Sequence, residues 1–408
     1  MTSCATDIIL GVCGGAGTCR DGAWYVHHSV GRVVDALAVC VGRLRYYGPQ
    51  ATPSAASHCD YRLESANIEV ELGPMWHTSV QAIKRAGAVL RHYSDMARTC
   101  NALFLRGSLP FLWAVLLMAG RRRLPVVYWV VGNPVAIMKG ERRGYGSVMT
   151  AAVLQYARFD RIMTKAALRI SRAHVLANGA ELASIFRSPR TVEVVSTSIS
   201  EQDSHIREDT CQEPTIRLVF VGFIRPEKGL EYLLRAMPQL QVPEPVHLAV
   251  VGSWEQFSTE RDRLISIIDQ LGLGERVTWE GYAAFGSDLF RQLDRSDILV
   301  LPSLSEGTPR VLIEARARSL PVVATNVGGI PSSVVDGEDG LLVPPRDPTA
   351  LAAAISRIIR DGDLRRRLIH TGRDNVRMFT ADRFGDLVMR LLTTPGTGRP
   401  GQQPQAVL

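Results

Sequence analysis

The stretch Ser305–Ala315, with the sequence SEGTPRVLIEA, carries two glutamates, Glu306 and Glu314, on either side of a Gly-Thr-Pro turn. The apolar run before it, Ile298–Pro302, predicts a buried strand that ends at a proline. A helix is expected after the turn, so that Glu306 lies in the loop and Glu314 lies inside the helix. At a rise of about 1.5 Å per residue, Glu314 is only about 8 Å beyond the helix start. A strand, a short turn and a helix in this order are typical of an α/β protein.

The turn itself predicts an anion-binding site. Thr308 can cap the helix, and Pro309 suits its first turn, where a missing N–H has no cost. The first N–H groups of a helix have no partner within the helix and can bind anions. A carboxylate on each side of a phosphate site matches a nucleotide sugar, in which hydroxyl groups flank a diphosphate. The spacing of the two glutamates has an equally good structural explanation. One glutamate is then an ordinary acidic residue in the first turns of a helix, and the other is a solvated loop residue.

The composition of the 408-residue chain is that of a globular protein with about two domains. Its 46% hydrophobic and 21% charged residues argue against disorder of the whole chain. Seven cysteines without a CxxC pair argue against a zinc cage or a disulfide framework and favour a reducing cytosol. The longest apolar run, Leu109–Gly120, is shorter than the roughly 20 residues of a transmembrane helix. We expect a core helix there, with a membrane-surface helix as the alternative.

Charge is distributed unevenly along the chain. Residues 1–200 carry 23 lysines and arginines against 12 aspartates and glutamates, whereas residues 201–408 carry 24 against 28. A basic half beside a mildly acidic one indicates that the first domain meets an anionic partner. The sequence contains no nucleic-acid recognition module, so we expect no nucleic acid. A phosphorylated acceptor or an anionic membrane surface fits the charge equally well.

Predicted strands alternate with amphipathic helices in residues 215–378, as expected for a parallel sheet covered on both faces. Such sheets bind ligands at the carboxyl ends of their strands, and the loop with Glu306 follows a strand end. The first half alternates less clearly, with strands predicted at Ile8–Val12, Ala38–Val41, Ala102–Arg106, Val126–Val131, Ala173–Ala177 and Val192–Val195. The predicted organisation is two doubly wound parallel-sheet domains that face a central cleft. Its parts are a first domain at 1–195, a polar linker at 196–214, a second domain at 215–378, a helix at 379–394 that packs back on the first domain, and a disordered tail at 395–408.

A second turn, Val221–Gly229, leaves a predicted strand and enters a helix. In a chain that uses arginine far more often than lysine, Lys228 is the only lysine of residues 201–408. A compact ammonium on a flexible stem can follow a phosphate, whereas arginine prefers a planar fork. A solvated loop lysine is the alternative interpretation.

The turn Gly14–Gly17 after the first strand is a weaker phosphate-loop candidate, with Gly15 as its candidate donor-binding residue. It lacks the GxGxxG order, so NAD is not expected there. Neither a carboxylate pair nor an HxxxH pattern indicates a metal site, and the sequence predicts no metal and no cofactor.

Three stretches occur in order along the chain: Phe220–Gly229 (FVGFIRPEKG), Ser303–Ala315 (SLSEGTPRVLIEA) and Val327–Pro345 (VGGIPSSVVDGEDGLLVPP). Together they resemble the retaining glycosyltransferases of family 4, which have the GT-B fold of two Rossmann-like domains. The resemblance covers residues 216–360 closely and the N-terminal half only in its general layout.

The resemblance implies transfer of a sugar, with retention, from a UDP- or GDP-sugar to a saccharide, lipid-linked or small-molecule acceptor. It implies that Glu314 binds the ribose hydroxyls, that Glu306 faces the donor sugar and that Lys228 neutralises the diphosphate. Polysaccharide or glycoconjugate biosynthesis, in the cytoplasm or on the inner face of the membrane, is the expected setting. The candidate catalytic residues are Lys228, Glu306 and Arg225, and the candidate donor-binding residues are Gly15, Gly222, Gly307, Thr308, Pro309, Arg310 and Glu314.

The chain departs from the family pattern at several positions. Phe223 stands where many members have an arginine, so Arg225 is the candidate replacement, and Ser332 stands where many have a glutamate. The strand Val126–Val131 is followed by no histidine, which leaves Asn133 as a weak acceptor-side candidate. Two alternatives therefore stay open: a non-catalytic nucleotide-sugar-binding partner protein, and another GT-B enzyme such as a nucleotide-sugar epimerase.

Overall fold

The computed structural model describes residues 5–56, 59–76, 79–107, 109–132, 147–195, 199–253 and 258–394. The chain forms two compact units: Met1–Val194 together with Ala381–Leu408, and Val195–Thr380. Asn133 and the tail at 395–408, for which the sequence predicts disorder, lie outside the described residues.

The first unit is built on a parallel sheet of seven strands, with a small antiparallel sheet of three strands beside it. Its strands are β1 Ala5–Cys13, β2 Gly17–Arg20, β3 Ala23–Val26, β4 Val41–Pro49, β5 Tyr61–Arg62, β6 Ile68–Gly73, β7 Ala102–Arg106, β8 Val126–Val130, β9 His174–Asn178 and β10 Thr191–Val194. The large sheet has the order β10-β9-β8-β7-β1-β4-β6, and β2, β3 and β5 form the small one. Strand β8, with the continuous apolar sequence VVYWV, is buried at every position, as expected for a sheet covered on both faces.

Helices cover both faces of the large sheet. They are α1 His28–Val39, α2 Pro53–Ala56, α3 Ser79–Lys84, α4 Ala86–Thr99, α5 Leu112–Arg122, α6 Ser147–Ser171 and α7 Ala180–Ile185. Helix α5 is a core helix, since Leu112, Val115 and Leu116 are buried, which confirms the interpretation favoured for the longest apolar run. No helix among the described residues is long and apolar enough to span a bilayer.

The strand predicted at Ala38–Val41 is wrong. Helix α1 continues to Val39, and the strand that follows it is β4. Val30, Val33 and Leu37 recur at helical spacing and are all buried, so the apolar residues before Val41 form the inner face of a helix. Strand β6, Ile68–Gly73, was not predicted, because its sequence IEVELG is short and carries two glutamates.

The second unit contains a parallel sheet of six strands in the order β13-β12-β11-β14-β15-β16. These strands are β11 Ile216–Val221, β12 Val246–Val251, β13 Val277–Gly281, β14 Ile298–Leu301, β15 Val322–Thr325 and β16 Leu341–Val343. The helices are α8 Leu230–Ala236, α9 Ser258–Gln270, α10 Ser287–Asp294, α11 Val311–Ala317, α12 Pro348–Arg360 and α13 Gly362–Val376. The alternation predicted for this half is confirmed, with bounds that differ by a few residues, and α13 is an additional helix.

The described part of the predicted linker, 199–214, belongs to the second unit. Arg207 donates to the backbone carbonyls of Asp294 at 3.1 Å and Ser296 at 2.9 Å, and the backbone N–H of Cys211 donates to Asp297 at 2.7 Å. These buried or half-buried hydrogen bonds fix the segment to the unit, although its polar composition is typical of a linker.

The last helix, α14 (Ala381–Thr393), belongs to the first unit. Its apolar residues Phe384, Leu387 and Val388 are buried in the core there. The ring of Phe384 lies against Trp129 of β8, with 4.6 Å between the ring centroids.

Candidate functional site

Three loops of the second unit leave neighbouring strands on the same edge of the sheet. Strand β14 pairs in parallel with β11 on one side and with β15 on the other. The segments that follow these strands, 222–229, 302–310 and 326–331, therefore start side by side at the carboxyl ends of the strands. Ligands of doubly wound parallel sheets bind at this edge.

Lys228 and Glu306 form an ion pair at this edge. The ammonium Nζ of Lys228 lies 2.6 Å from Oε1 of Glu306, and the hydroxyl of Ser303 donates to the same oxygen at 2.7 Å. The Glu306 side chain is 8% exposed and that of Lys228 is 21% exposed. One carboxylate oxygen thus accepts two hydrogen bonds, and Glu306 Oε2 has no hydrogen bond to any described residue. The structure brings together two of the three residues that the sequence predicts to be catalytic.

Lys228 is positioned by a single turn of 3-10 helix, Pro226–Lys228. Gly229 ends this turn with a φ of +64°, a conformation that favours glycine. A Cβ at Gly229 would also overlap the carbonyl oxygen of Pro302. The backbone N–H of Leu304 donates to the carbonyl of Glu227 at 2.8 Å, so the loop with the lysine and the loop with Glu306 are tied together.

Glu306 is positioned by contacts of its own loop with Thr325 at the end of β15 and with Gly328 in the loop after it. The hydroxyl of Thr325, at the end of β15, donates to the carbonyl of Ser303 at 2.5 Å, which fixes the residue that binds the carboxylate. Gly328 has a φ of +54°, and a Cβ there would overlap the carbonyl oxygen of Glu306. The glycine after β15 is thus required by the close approach of the two loops.

The residues after Glu306 surround open space. A Cβ built on Gly307 would meet no atom within 4 Å. The hydroxyl of Thr308 and Nη1 of Arg310 are both buried, and neither has a hydrogen-bond partner among the described residues. Buried polar atoms without a partner are rare in native proteins, and a polar ligand is one way to satisfy them.

Helix α11 begins at Val311, two residues later than the sequence predicts. Arg310 is its N-cap residue and makes no side-chain capping hydrogen bond. Thr308 does not cap the helix, since its hydroxyl has no partner, and Pro309 lies before the first helical residue. The prediction for Thr308 and Pro309 as cap and first turn was wrong because the chain makes one further turn before the helix starts.

Glu314 lies in α11 and is 5% exposed. The same helix carries Arg316, which is 1% exposed and forms an ion pair with Asp339. Arg316 also donates to the carbonyl of Ser333 at 2.6 Å, and Asp339 accepts from the backbone N–H of Val335 at 2.7 Å. Burial lowers the pKa of Arg316, and the Asp339 carboxylate opposes that shift. The buried pair fixes the segment after the Gly328 turn onto the helix that carries Glu314.

Arg225 lies at the rim of the same loop. Its guanidinium is 5.2 Å from the ring centroid of Phe223 and 3.5 Å from the carboxylate of Glu227. Gly222 lies beneath the lysine, since a Cβ there would be 3.9 Å from Cε of Lys228. Gly222 and Lys228 are therefore neighbours within one loop, and a role of Gly222 in donor binding stays a prediction.

Gly15 belongs to the first unit. Its carbonyl accepts a hydrogen bond from the hydroxyl of Tyr46 at 2.7 Å. The chain continues after it into the hairpin of β2 and β3, and the next helix starts only at His28. No helix N-terminus directly follows this glycine turn, so a role of Gly15 in donor binding stays a prediction.

Ser303, Thr325 and Gly328 were not predicted as site residues. Ser303 precedes Glu306 by three residues within the stretch SLSE, and its serine could have been recognised as a hydrogen-bond donor to the glutamate. Thr325 and Gly328 act through contacts between loops, which follow only from the order of the strands. Among the described residues, no group of three or more His, Cys, Asp or Glu side chains could hold a metal ion.

Residues 201–375 match the family model described as glycosyl transferases group 1. These residues lie within the second unit, which is therefore similar to the group 1 glycosyltransferases over most of its length. The Lys228–Glu306 pair and the Gly328 turn both lie within the matched residues.

Curated relatives match part of the chain. An uncharacterized glycosyltransferase of Methanocaldococcus jannaschii is 29% identical over 209 residues, which are 48% of this chain and 52% of that protein. The D-inositol 3-phosphate glycosyltransferase of Stackebrandtia nassauensis is 32% identical over 192 residues, 44% of this chain and 43% of that protein. That of Mycobacterium marinum is 38% identical over 144 residues, 35% and 30% of the two chains. The chain spans about half or less of the length of these relatives.

Solved structures are similar over nearly the whole chain. The sucrose-phosphate synthase of Thermosynechococcus elongatus has a TM-score of 0.66 at 20% identity and covers 94% of this chain and 99% of its own. Anabaena HepE in complex with UDP-glucose has a TM-score of 0.63 at 16% identity, with the same coverage. WaaG, a glycosyltransferase involved in lipopolysaccharide biosynthesis, has a TM-score of 0.63 at 15% identity and covers 95% of this chain and 100% of its own. These likenesses, with the two parallel sheets, show the GT-B fold of two Rossmann-like domains.

Proposed function

We propose that the protein is a retaining glycosyltransferase of family 4 that transfers a sugar from a UDP- or GDP-sugar to a saccharide, lipid-linked or small-molecule acceptor. Polysaccharide or glycoconjugate biosynthesis is the proposed setting. The observation that carries the proposal is the Lys228–Glu306 ion pair, with 2.6 Å between Nζ and Oε1, at the strand edge of the segment that matches the group 1 glycosyltransferases.

Lys228 is proposed to stabilise the leaving diphosphate. In the reaction the bond between the anomeric carbon and the phosphate oxygen breaks, the acceptor oxygen bonds to the same carbon, and the leaving phosphate takes the acceptor proton. Negative charge then increases on the diphosphate, and a positioned cation lowers the energy of that state. A lysine with two ammonium protons still available beyond its bond to Glu306 suits this role.

Glu306 is proposed to face the donor sugar. Its Oε1 is fixed by Lys228 and Ser303, which leaves Oε2 to accept from a sugar hydroxyl. The backbone of 307–310, with the hydroxyl of Thr308 and Nη1 of Arg310, is proposed to bind the phosphate or sugar side of the donor. Glu314 is proposed to accept from the ribose hydroxyls, and Arg225 to contact a phosphate in place of an arginine at Phe223.

The known ligands and names of similar proteins support a nucleotide-sugar donor. HepE was solved with UDP and with UDP-glucose, and several curated relatives are named D-inositol 3-phosphate glycosyltransferases. We also propose a cytoplasmic protein that contacts the membrane peripherally through its basic first unit. The cysteines of the described residues are all free, which suits a reducing compartment.

The test is an incubation of the purified chain with a panel of UDP- and GDP-sugars, followed by separation of the products. Transfer to an added acceptor, or slow donor hydrolysis without one, supports the proposal, and the anomeric configuration of the product tests retention. An epimerised nucleotide sugar without transfer identifies the alternative GT-B enzyme. Donor binding with neither transfer nor hydrolysis identifies the non-catalytic binding partner. Lys228→Ala is the control for a contaminating activity. The variant is expected to lose activity at least about a hundredfold if the measured transfer is catalysed by this protein.

A further inference from the structure

The outward face of helix α6 carries two parallel rows of side chains. Phe159, Ile162, Ala166 and Ile170 follow one another at intervals of three and four residues and form an apolar row. Arg158, Arg161, Lys165, Arg169 and Arg172 follow the same spacing and form a basic row beside it. The two rows are defined by these nine residues.

The apolar row is exposed to a degree that is unusual for such large side chains. Phe159 is 51%, Ile162 64% and Ile170 65% exposed. The opposite side of α6, with Ala157, Ala167 and Leu168, is buried in the first unit. The core of the first unit therefore gives no reason for apolar side chains in this row. A contiguous exposed apolar surface is typical of a docking site.

The basic row continues into a cavity of about 320 Å³ at the end of the helix. Five cationic side chains and no carboxylate line this cavity: Lys165, Arg169, Arg172, Arg187 and Arg190. Within the described part of the chain, no carboxylate lies at ion-pair distance from any of the five. The only acidic residue of α6, Asp160, is 9% exposed and points away from this face.

Helix carboxyl ends attract cations, and this effect accounts for Arg172 and Arg187 near the ends of α6 and α7. It does not account for Arg158 and Arg161, which lie more than two turns before the end of α6. Nor does it account for the apolar row beside them. A protein partner is a weaker explanation, because the cores of protein interfaces are depleted of lysine and rarely lie beside an unbroken row of cations.

We infer that this face of α6 docks on an anionic phospholipid surface. The apolar row enters the boundary between headgroups and acyl chains, and the basic row with its cavity contacts the phosphate groups. A helix with one apolar side and arginines and lysines along its flank is the pattern of an interfacial helix. Basic residues near an anionic membrane each strengthen binding by about fivefold. The inference gives a location to the membrane contact of the proposed function, and it does not depend on the donor.

The experiment measures cosedimentation of the full chain with vesicles of phosphatidylcholine, with or without about one third phosphatidylglycerol, in the absence of any nucleotide. The basic-row variant is Arg158→Glu with Lys165→Glu and Arg169→Glu, and the apolar-row variant is Phe159→Ser with Ile162→Ser and Ile170→Ser. The matched control for charge is Arg235→Glu with Arg295→Glu and Arg367→Glu, three exposed positions of the second unit. The apolar control is Ile206→Ser with Val335→Ser, also exposed.

Wild type is expected to bind the anionic vesicles and not the neutral ones, and to lose binding as salt is raised. The basic-row variant is expected to bind at least about a hundredfold more weakly and the apolar-row variant at least about tenfold more weakly, while both controls stay within about threefold. Equal binding by row variants and controls would overturn the inference, as would a wild type that binds neither vesicle.

If the apolar-row variant instead changes the oligomeric state of the free protein and vesicle binding is absent, a second copy covers the face and the inference is wrong. Nucleoside diphosphate binding by the second unit is measured on the same samples. It reports folding of the variants and separates a failure of docking from a failure of the proposed function. Salt dependence of wild-type binding tests the inference even if a row variant does not fold.

Discussion

Lys228 and Glu306, 78 residues apart in the chain, are joined at 2.6 Å by an ion pair that also includes the hydroxyl of Ser303. Two tied loops and the close approach of Gly328 hold this pair at the carboxyl edge of the second sheet. Under the proposed function, the pair supplies a cation for the diphosphate and a fixed carboxylate for a sugar hydroxyl.

Lys228→Ala is expected to lower the rate of sugar transfer by about 10²–10³, because the charge on the leaving diphosphate loses its cation. The ligand-free protein is also expected to lose stability, because the buried Glu306 carboxylate loses its cation and keeps only the hydrogen bond from Ser303. Lys228→Arg is expected to recover only part of the rate, because a planar guanidinium cannot replace a compact ammonium. The kcat of the wild type, Lys228→Ala and Lys228→Arg is measured by steady-state kinetics with the donor that the wild type uses. A Lys228→Ala enzyme with undiminished kcat would remove the lysine from the mechanism.

Gly307→Ala and Gly328→Ala form a matched pair in neighbouring loops. A methyl group at Gly307 meets open space, so this variant is expected to keep its melting temperature and to lose donor affinity. Gly328 has a φ of +54° and its Cβ would overlap Glu306, so this variant is expected to lose at least about 1–3 kcal/mol of stability. Thermal unfolding and donor titration are measured on both. Equal stability losses, or unchanged donor affinity of Gly307→Ala, would contradict the proposed path of the donor.

Arg316→Met is expected to reduce the free energy of unfolding of the second unit by about 3–5 kcal/mol. The substitution leaves the carboxylate of Asp339 buried without its cation. Chemical denaturation checks this value, and Arg235→Met, at an exposed helical position, is the control with an expected change within about 0.5 kcal/mol. A loss below about 1 kcal/mol for Arg316→Met would mean that the pair does not hold the segment after Gly328.

Asp160 predicts a pH dependence of the first unit. Burial raises the pKa of this carboxyl to about 6, although the nearby hydroxyl of Tyr156 opposes the shift. The folded state therefore keeps a proton that the unfolded state releases near pH 4, so stability falls as the pH rises from about 4 to about 6. The fall amounts to about 3 kcal/mol for a shift of this size.

Asp160→Asn cannot lose a proton, so its stability is expected to rise relative to wild type by that amount between about pH 4 and pH 6.5. Denaturation of both proteins across this range gives the difference, and other titrating groups cancel because they are common to both. Parallel pH profiles of the two proteins would show that Asp160 is ionised at no cost in the folded state.

Local patterns were sufficient to predict most of the second unit. Five of its six strands are short apolar runs that end at or directly before a glycine or proline. Lys228 and Glu306 lie in the turns that follow such strands, so they could be found from sequence. Ser303 could have been found in the same way. Thr325 and Gly328 could not, because their contacts depend on the neighbouring positions of β14 and β15 in the sheet.

The first unit was harder to predict because helical and strand patterns overlap there. The apolar residues before Val41 belong to α1 and not to a strand, since their spacing is helical and a helix buries them on one side. The start of α11 was predicted too early, because threonine followed by proline also occurs in a turn that is not yet helical. The two rows of α6 are visible in the sequence once the bounds of the helix are known, but which of its faces is buried follows only from the structure.

The most direct test of the central claim is a thermal shift of wild type, Lys228→Ala and Glu314→Ala with UDP, GDP, ADP, dTDP and NAD. A ligand at about 100 times its dissociation constant adds about 2.7 kcal/mol of stability, enough to move the melting temperature measurably. We predict that UDP or GDP stabilises the wild type and that both variants lose the shift, whereas Arg235→Ala keeps it. A shift with NAD and with none of the nucleoside diphosphates would contradict the account and would direct attention to the glycine turn at Gly15.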